Sequence, residues 1–299
     1  MSQIFDALNQ STTERTGNGS REFSAAKELL QVVERKAVSP ALLEELSPAP
    51  VSRDTPRQFS MVKAVLPEHS KFVCFGDPKS LAAEKFRFLA TRLRHLQQKR
   101  SLRSLVVTSS VAGEGKSMVA ANLASALAGG KQRVLLVEGD IRRPSLARQL
   151  GLEELPGLSQ VLRFGEDSLN HIYSLEDSGL CVLLAGEAHS NPLEFMDSAK
   201  LSVLMDRITP GFDWVVIDSP PVLPLADTSI WARLADAILL VTRPGVTSKR
   251  QLQRTFEAIE QSKLLGSILN ASTETTTNHY YYHYSPRAGA LSASSSAAK

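Results

Sequence analysis

Leu105-Val-Val-Thr-Ser-Ser-Val-Ala-Gly113-Glu-Gly-Lys116-Ser117-Met118 decides the fold. Four apolar or β-branched residues form a short buried strand. A loop with two glycines follows, and then residues 116–129, rich in Ala and Leu, read as a helix. Glycines let such a loop turn its backbone amides toward phosphate oxygens, and the helix start adds partial positive charge. Ala112, Gly113, Glu114, Gly115, Lys116, Ser117 and Met118 are therefore candidate nucleotide-binding residues. Lys116 has the reach for β- and γ-phosphates, and the Ser117 hydroxyl suits Mg²⁺. Ser110 stands where the common form of this P-loop has its opening glycine, so the loop is a variant.

Moving outward, Val134-Leu-Leu-Val-Glu138-Gly-Asp140-Ile-Arg-Arg143-Pro is a second apolar strand ending in two carboxylates. In an extended chain residues i and i+2 face the same way, which predicts that Glu138 and Asp140 both point beyond the strand tip. Phe212-Asp-Trp-Val-Val-Ile-Asp218-Ser-Pro-Pro221 is a third strand, ending in Asp218 and stopped by two prolines. Ser117, Asp140 and Asp218 are the expected metal side of the site, and Lys116, Glu138, Asp140 and Asp218 the expected catalytic set.

Further apolar runs at 181–184, 237–241 and 267–269 alternate with helical stretches at 144–150, 157–163, 192–208, 228–234 and 249–262. The expected fold class is α/β, a mostly parallel sheet with helices on both faces. A helix over 80–98 precedes it, with Ala82, Phe86, Leu89, Leu93 and Leu96 on one face and Glu84, Arg87, Thr91 and Arg94 on another. Residues 1–75, with a Ser/Thr/Gly/Asn-rich stretch and five prolines between 40 and 67, read as a tethering or docking region with one short helix at 22–36. Residues 76–270 form the expected catalytic domain and 271–299 a flexible tail.

The chain has 299 residues and a net charge of +3, too small to call for nucleic acid. Cys74 and Cys181 lack metal-ligand spacing and read as reduced thiols of a cytoplasmic protein. The first residues lack a signal-peptide pattern, and no run reaches the roughly 18 apolar residues of a membrane span. Four of the five tyrosines, Tyr280, Tyr281, Tyr282 and Tyr284, crowd into the tail. An unstructured tail has no packing reason to collect aromatics, whereas a phosphoacceptor cluster does.

Gly113–Ser117, Glu138–Arg143 and Asp218–Pro221, in this order, resemble the three nucleotide-site motifs of the bacterial tyrosine kinases that accompany capsule and exopolysaccharide synthesis. Ala83-Glu-Lys-Phe-Arg87, Pro156-Gly-Leu-Ser159, Asn191-Pro-Leu-Glu194 and Gly266-Ser-Ile-Leu-Asn270 are similar to smaller stretches of that family. The resemblance implies a protein-tyrosine autokinase using ATP and Mg²⁺ on a MinD/ParA-like P-loop architecture, with Asn270 near the adenine and the tail tyrosines as acceptors. It also implies self-association through Glu84 and Arg87, and a separate membrane-embedded polysaccharide co-polymerase as activator. A phosphotyrosine phosphatase is expected as antagonist, and the inner membrane as the place of work, reached through the partner. Two positions depart from the family. Glu138 replaces its first aspartate, and Ala90 replaces the last arginine of the self-association pattern. Two other readings stay open: a nucleotide-driven switch of the septum-site or plasmid-partition kind, and a non-catalytic scaffold. The first usually carries a further lysine early in the P-loop, and none stands between Ser109 and Gly113.

Overall fold

The computed structural model describes residues 59–271 except 69, 166, 177, 190, 195, 197 and 224–226. The expected helix at 22–36 and the tyrosine tail lie outside the described residues. In chain order the elements are β1 (Ser60–Val62), α1 (Val73–Gly76), α2 (Leu81–Lys99), β2 (Ser104–Ser109), α3 (Lys116–Ala128), β3 (Val134–Glu138), α4 (Leu146–Leu150), α5 (Leu158–Phe164), β4 (Ile172–Leu175) and β5 (Leu180–Leu183). They continue as α6 (Ser198–Ile208), β6 (Trp214–Asp218), α7 (Asp227–Leu234), β7 (Ala237–Thr242), α8 (Lys249–Ala258) and β8 (Leu264–Leu269).

The eight strands form one sheet in the order β1-β4-β5-β3-β6-β2-β7-β8. All pairings are parallel except β4 with β5. The central strands are apolar on both faces because both are covered. Leu105, Val107, Leu136, Trp214 and Val216 pack toward α2 and α3, while Val106, Leu135, Val137, Val215 and Ile217 pack toward α5, α6 and α7. This alternation places the C-terminal tips of β2, β3 and β6 side by side, with Val107 and Glu138 both paired to Asp218. Ligands of open parallel sheets bind beyond such tips.

Helix α3 is buried on nearly every side, and its five alanines let it lie close between α2 and the sheet. Helix α2 starts on Ser80, whose hydroxyl accepts from the Ala83 amide at 3.2 Å. Its inward face is centred on Ala83, Ala90 and Leu93, with Phe86, Leu89 and Leu96 beside them, and the expected Ala82 is exposed. Ala90 is fully buried, so a longer side chain there would collide with the core. Arg94 also turns inward, donating to the Ala126 and Leu127 carbonyls at 2.9 Å each and closing the end of α3.

Several sequence expectations need correction. The domain does not begin at residue 76. β1 pairs with β4, Phe59 stacks on Phe212, and Phe72 is buried in the main core. The pattern missed β1, at the sheet edge, and β4, beside it, because both are short elements with polar residues among their apolar ones. The helix expected over 192–208 is a 3₁₀ turn (Pro192–Glu194) followed by α6, and the one expected over 249–262 ends at Ala258. Cys74 and Cys181 are free, and burial pushes both thiols up to about 11. Among the described residues no helix is long and apolar enough to cross a membrane.

Candidate active site

The loop between β2 and α3 is shaped from within. Gly113 and Gly115 take left-handed φ values of 85° and 90°. Glu114, between them, is fully buried and turned away from the opening. Its Oε2 accepts from the Val111 amide at 2.7 Å, and its Oε1 accepts from the Thr247 hydroxyl and from the Arg243 amide at 3.3 Å. Arg243 also donates to the Gly113 carbonyl at 3.3 Å. The Glu114 side chain thus pins the loop to the β7–α8 connection.

Gly115 caps α3 without any side-chain hydrogen bond, and no acidic residue lies in the first turn. The first amides of α3 are therefore left for an anion. Asn270, just past β8, donates its side-chain amide to the Glu114 carbonyl at 2.8 Å and its backbone amide to Thr242 at 2.7 Å. A Cβ on Gly115 would run into the Asn270 side-chain amide, with the Met118 methyl 3.8 Å away. Gly115→Ala is expected to cost about 1–3 kcal/mol through its left-handed φ and to displace Asn270. A weaker nucleotide affinity in a calorimetric titration would record it; wild-type affinity would show that the loop tolerates the methyl group.

Lys116 folds across the strand tips. Its ammonium lies 3.0 Å from Asp140 Oδ2 and 3.8 Å from Asp218 Oδ1, with the Ser117 hydroxyl at 3.4 Å. Burial opposes the Lys116 charge, but Asp218, Asp140 and Glu138 together outweigh it and raise its pKa. Asp218 is pushed up by burial and drawn back by Lys116 and the Ser117 hydroxyl. Neither of its oxygens has a hydrogen-bond partner of good geometry among the described residues. A buried carboxylate left this way calls for a cation. Ser117, Asp140 and Asp218 therefore fit a nucleotide-bound divalent metal, whose positive charge would join that of Lys116.

Glu138 does not join this set. Its Oε1 accepts from the Ser145 and Leu146 amides at 2.5 and 2.7 Å, and its Oε2 from the Ala185 amide at 3.0 Å. The carboxylate caps the start of α4 and clamps the chain beyond β5. Burial nevertheless raises its pKa, against those three amides. The i, i+2 argument fails because β3 ends at Glu138, so Gly139 and Asp140 are no longer extended strand. Asp140 faces the site instead, its other oxygen accepting from the Arg143 amide at 3.2 Å. On α2, Glu84 and Arg87 are exposed and paired at 2.5 Å, and Arg87 also donates to the Pro78 carbonyl at 2.6 Å.

Sequence reasoning overlooked the residues that hold the tip of β3. Arg142 makes a two-pronged pair with Asp227, Nε to Oδ2 at 2.6 Å and Nη2 to Oδ1 at 3.2 Å. Trp231 donates from Nε1 to the Gly139 carbonyl at 3.3 Å. The one available signal was Asp227 opening a helix soon after Asp218-Ser-Pro-Pro221.

Residues 101–293 match the family described as "ParA: NUBPL iron-transfer P-loop NTPase". The fold and its phosphate loop carry the capacity of that class to bind a nucleotide with a divalent metal. The chain is 34% identical over 200 residues to the tyrosine-protein kinase YwqD of Bacillus subtilis, covering 66% of this chain and 84% of that protein. It is 30% identical over 205 residues to the putative tyrosine-protein kinase AmsA of Erwinia amylovora, covering 68% of this chain but 28% of that longer protein. The kinase domain of the Escherichia coli tyrosine kinase ETK superimposes with a TM-score of 0.65 at 25% identity, covering 83% of this chain and 100% of that domain. With three motif-bearing strand tips converging on Lys116, the chain belongs to the bacterial tyrosine-protein kinases, protein-tyrosine kinases built on a ParA-type P-loop fold.

Proposed function

We propose that this kinase is an autokinase that transfers the γ-phosphoryl group of ATP, with Mg²⁺, to its own tail tyrosines Tyr280, Tyr281, Tyr282 and Tyr284. One observation carries the reading. The Lys116 ammonium is gathered between Asp140 and Asp218 at an uncapped helix start, beside the point where the chain leaves β8 for the tail. Asn270 ties that point to the phosphate loop, and nine residues separate it from Tyr280.

ATP supplies the transferable group and Mg²⁺ neutralises its phosphate oxygens. The free amides of α3 bind phosphate. Lys116 is placed to exchange its carboxylate partners for phosphate oxygens. Ser117 and Asp218 stand where the metal is needed. Asp140, rather than Glu138, is the proton acceptor for the tyrosine hydroxyl, because the oxygens of Glu138 already serve three backbone amides.

The biological setting follows the same reading. The kinase works at the cytoplasmic face of the inner membrane, regulating polysaccharide polymerisation and export. A separate membrane co-polymerase activates it and a phosphotyrosine phosphatase opposes it. The chain self-associates around Glu84 and Arg87, where Ala90 contributes no charge. The test is incubation with radiolabelled ATP and Mg²⁺, with and without the co-polymerase's cytoplasmic segment, beside a variant with all four tail tyrosines changed to Phe. Label on tyrosine in the parent and its loss in the variant is expected. Equal labelling of both would move the acceptor away from the tail.

A further inference from the structure

The turn after β3 carries Asp140, and two side chains of one helix grip it. Asp227 and Trp231 lie four residues apart on α7, so they share a face. Both are buried. Asp227, the first residue of the helix, takes both prongs of the Arg142 guanidinium, and the positive end of α7 favours its charge. Trp231 reaches the Gly139 carbonyl, while the Gly139 amide donates to the Asp218 carbonyl at 2.8 Å. There is no slack at Gly139, where an added Cβ would sit 2.7 Å from the Trp231 nitrogen and 3.1 Å from the Asp218 carbonyl. Thr228 on the same helix donates to the Pro220 carbonyl at 2.7 Å, in the segment that leaves Asp218. Helix α7 therefore holds the carboxylate-bearing tips of β3 and β6 in one fixed relation.

A buried ion pair is a poor source of stability, since apolar residues of equal size often serve as well. Its strength is fixed geometry, and here the geometry is that of the turn opposite Lys116. We infer that Asp227 and Trp231 are positioning residues that set the Asp140 carboxylate for phosphoryl transfer, acting through Arg142 and Gly139. The inference rests on the assignment of Asp140 to the reacting centre. It concerns the rate of transfer and leaves phosphate capture to the loop and α3.

The test compares wild type with Asp227→Asn, Asp227→Glu and Trp231→Phe. Asp227→Asn is expected to lower kcat by on the order of 10- to 100-fold, the scale set by misplacing a reacting group by about 1 Å. Affinity and stoichiometry for a fluorescent ADP analogue without metal should stay within about twofold, because that binding uses other residues. Asp227→Glu should recover part of the rate, and Trp231→Phe should show a smaller fall of the same kind. In nucleotide-free protein, amide exchange over residues 139–146 should quicken in Asp227→Asn while α3 and β6 keep their protection.

An unchanged kcat in a folded variant would overturn the inference. So would analogue stoichiometry falling in step with the rate, which marks general loss of fold. Should Asp227→Asn fail to fold, Trp231→Phe decides by the same readouts. Absence of phosphorylation in wild type would bring down the autokinase reading separately, and the exchange measurement would still judge the grip of α7.

Discussion

Lys116→Met should lower tyrosine phosphorylation by on the order of 10³-fold or more, the range seen when a cation that neutralises a transferring phosphoryl group is removed. The methionine keeps the length and apolar stem of lysine but brings no charge to the phosphates. The same change alters the nucleotide-free protein. Lys116 is the cation between Asp140 and Asp218, at 3.0 and 3.8 Å. Without it, burial acts on Asp218 less opposed, and its carboxyl takes up a proton more readily. A carboxyl with a raised folded-state pKa binds its proton more tightly in the native than in the unfolded chain. The variant's stability should therefore rise as pH falls through that pKa toward the value of an unfolded carboxyl, and this gain should be lost as pH climbs back through it. Initial rates with tail peptide mapping check the first effect, and thermal melts across the acid range the second. A variant with wild-type turnover would remove Lys116 from the chemistry.

Glu138→Ala should destabilise the fold by about 3–5 kcal/mol, the cost of leaving several buried groups without their charged partner. Three amides lose their acceptor at once, those of Ser145, Leu146 and Ala185. Glu138→Gln should cost less, about 1–2 kcal/mol. Its carbonyl can still serve Ser145 and Leu146, but its amino group would face the Ala185 amide, donor against donor. Asp140→Asn offers the contrast. Its carboxylate accepts one backbone amide and otherwise faces Lys116, so the variant should stay folded while losing transfer. Urea unfolding beside kinase assays separates the two carboxylates. If Glu138→Ala melted like wild type and lost only activity, Glu138 would return to the catalytic set.

The sequence was legible where a residue's task followed from its neighbours along the chain. Strand, glycine loop and helix at 105–128 gave the phosphate site. Asp218 stood at a strand tip because apolar residues before it and prolines after it left no other reading. The alternation of buried strands gave a mostly parallel sheet covered on both faces.

What could not be read depended on partners distant in sequence. Glu138 is spent on amides seven, eight and 47 residues away. Glu114, inside the phosphate motif, turns its side chain toward Thr247 and Arg243. Asp227 and Trp231 carry no local signal linking them to Gly139 and Arg142. Arg94 shares a polar helical face in sequence, yet folds over the end of α3. Strands β1 and β4 were hidden because three or four residues hold too little periodicity to register.

Peptide-level mass spectrometry after treatment with ATP and Mg²⁺, with and without the co-polymerase's cytoplasmic segment, tests directly whether the chain phosphorylates its own tail. Lys116→Met serves as the control. Phosphate is expected on one or more of Tyr280, Tyr281, Tyr282 and Tyr284 in the parent chain and none in the control. An unmodified tail in protein that binds or hydrolyses ATP, with the segment present, would contradict it.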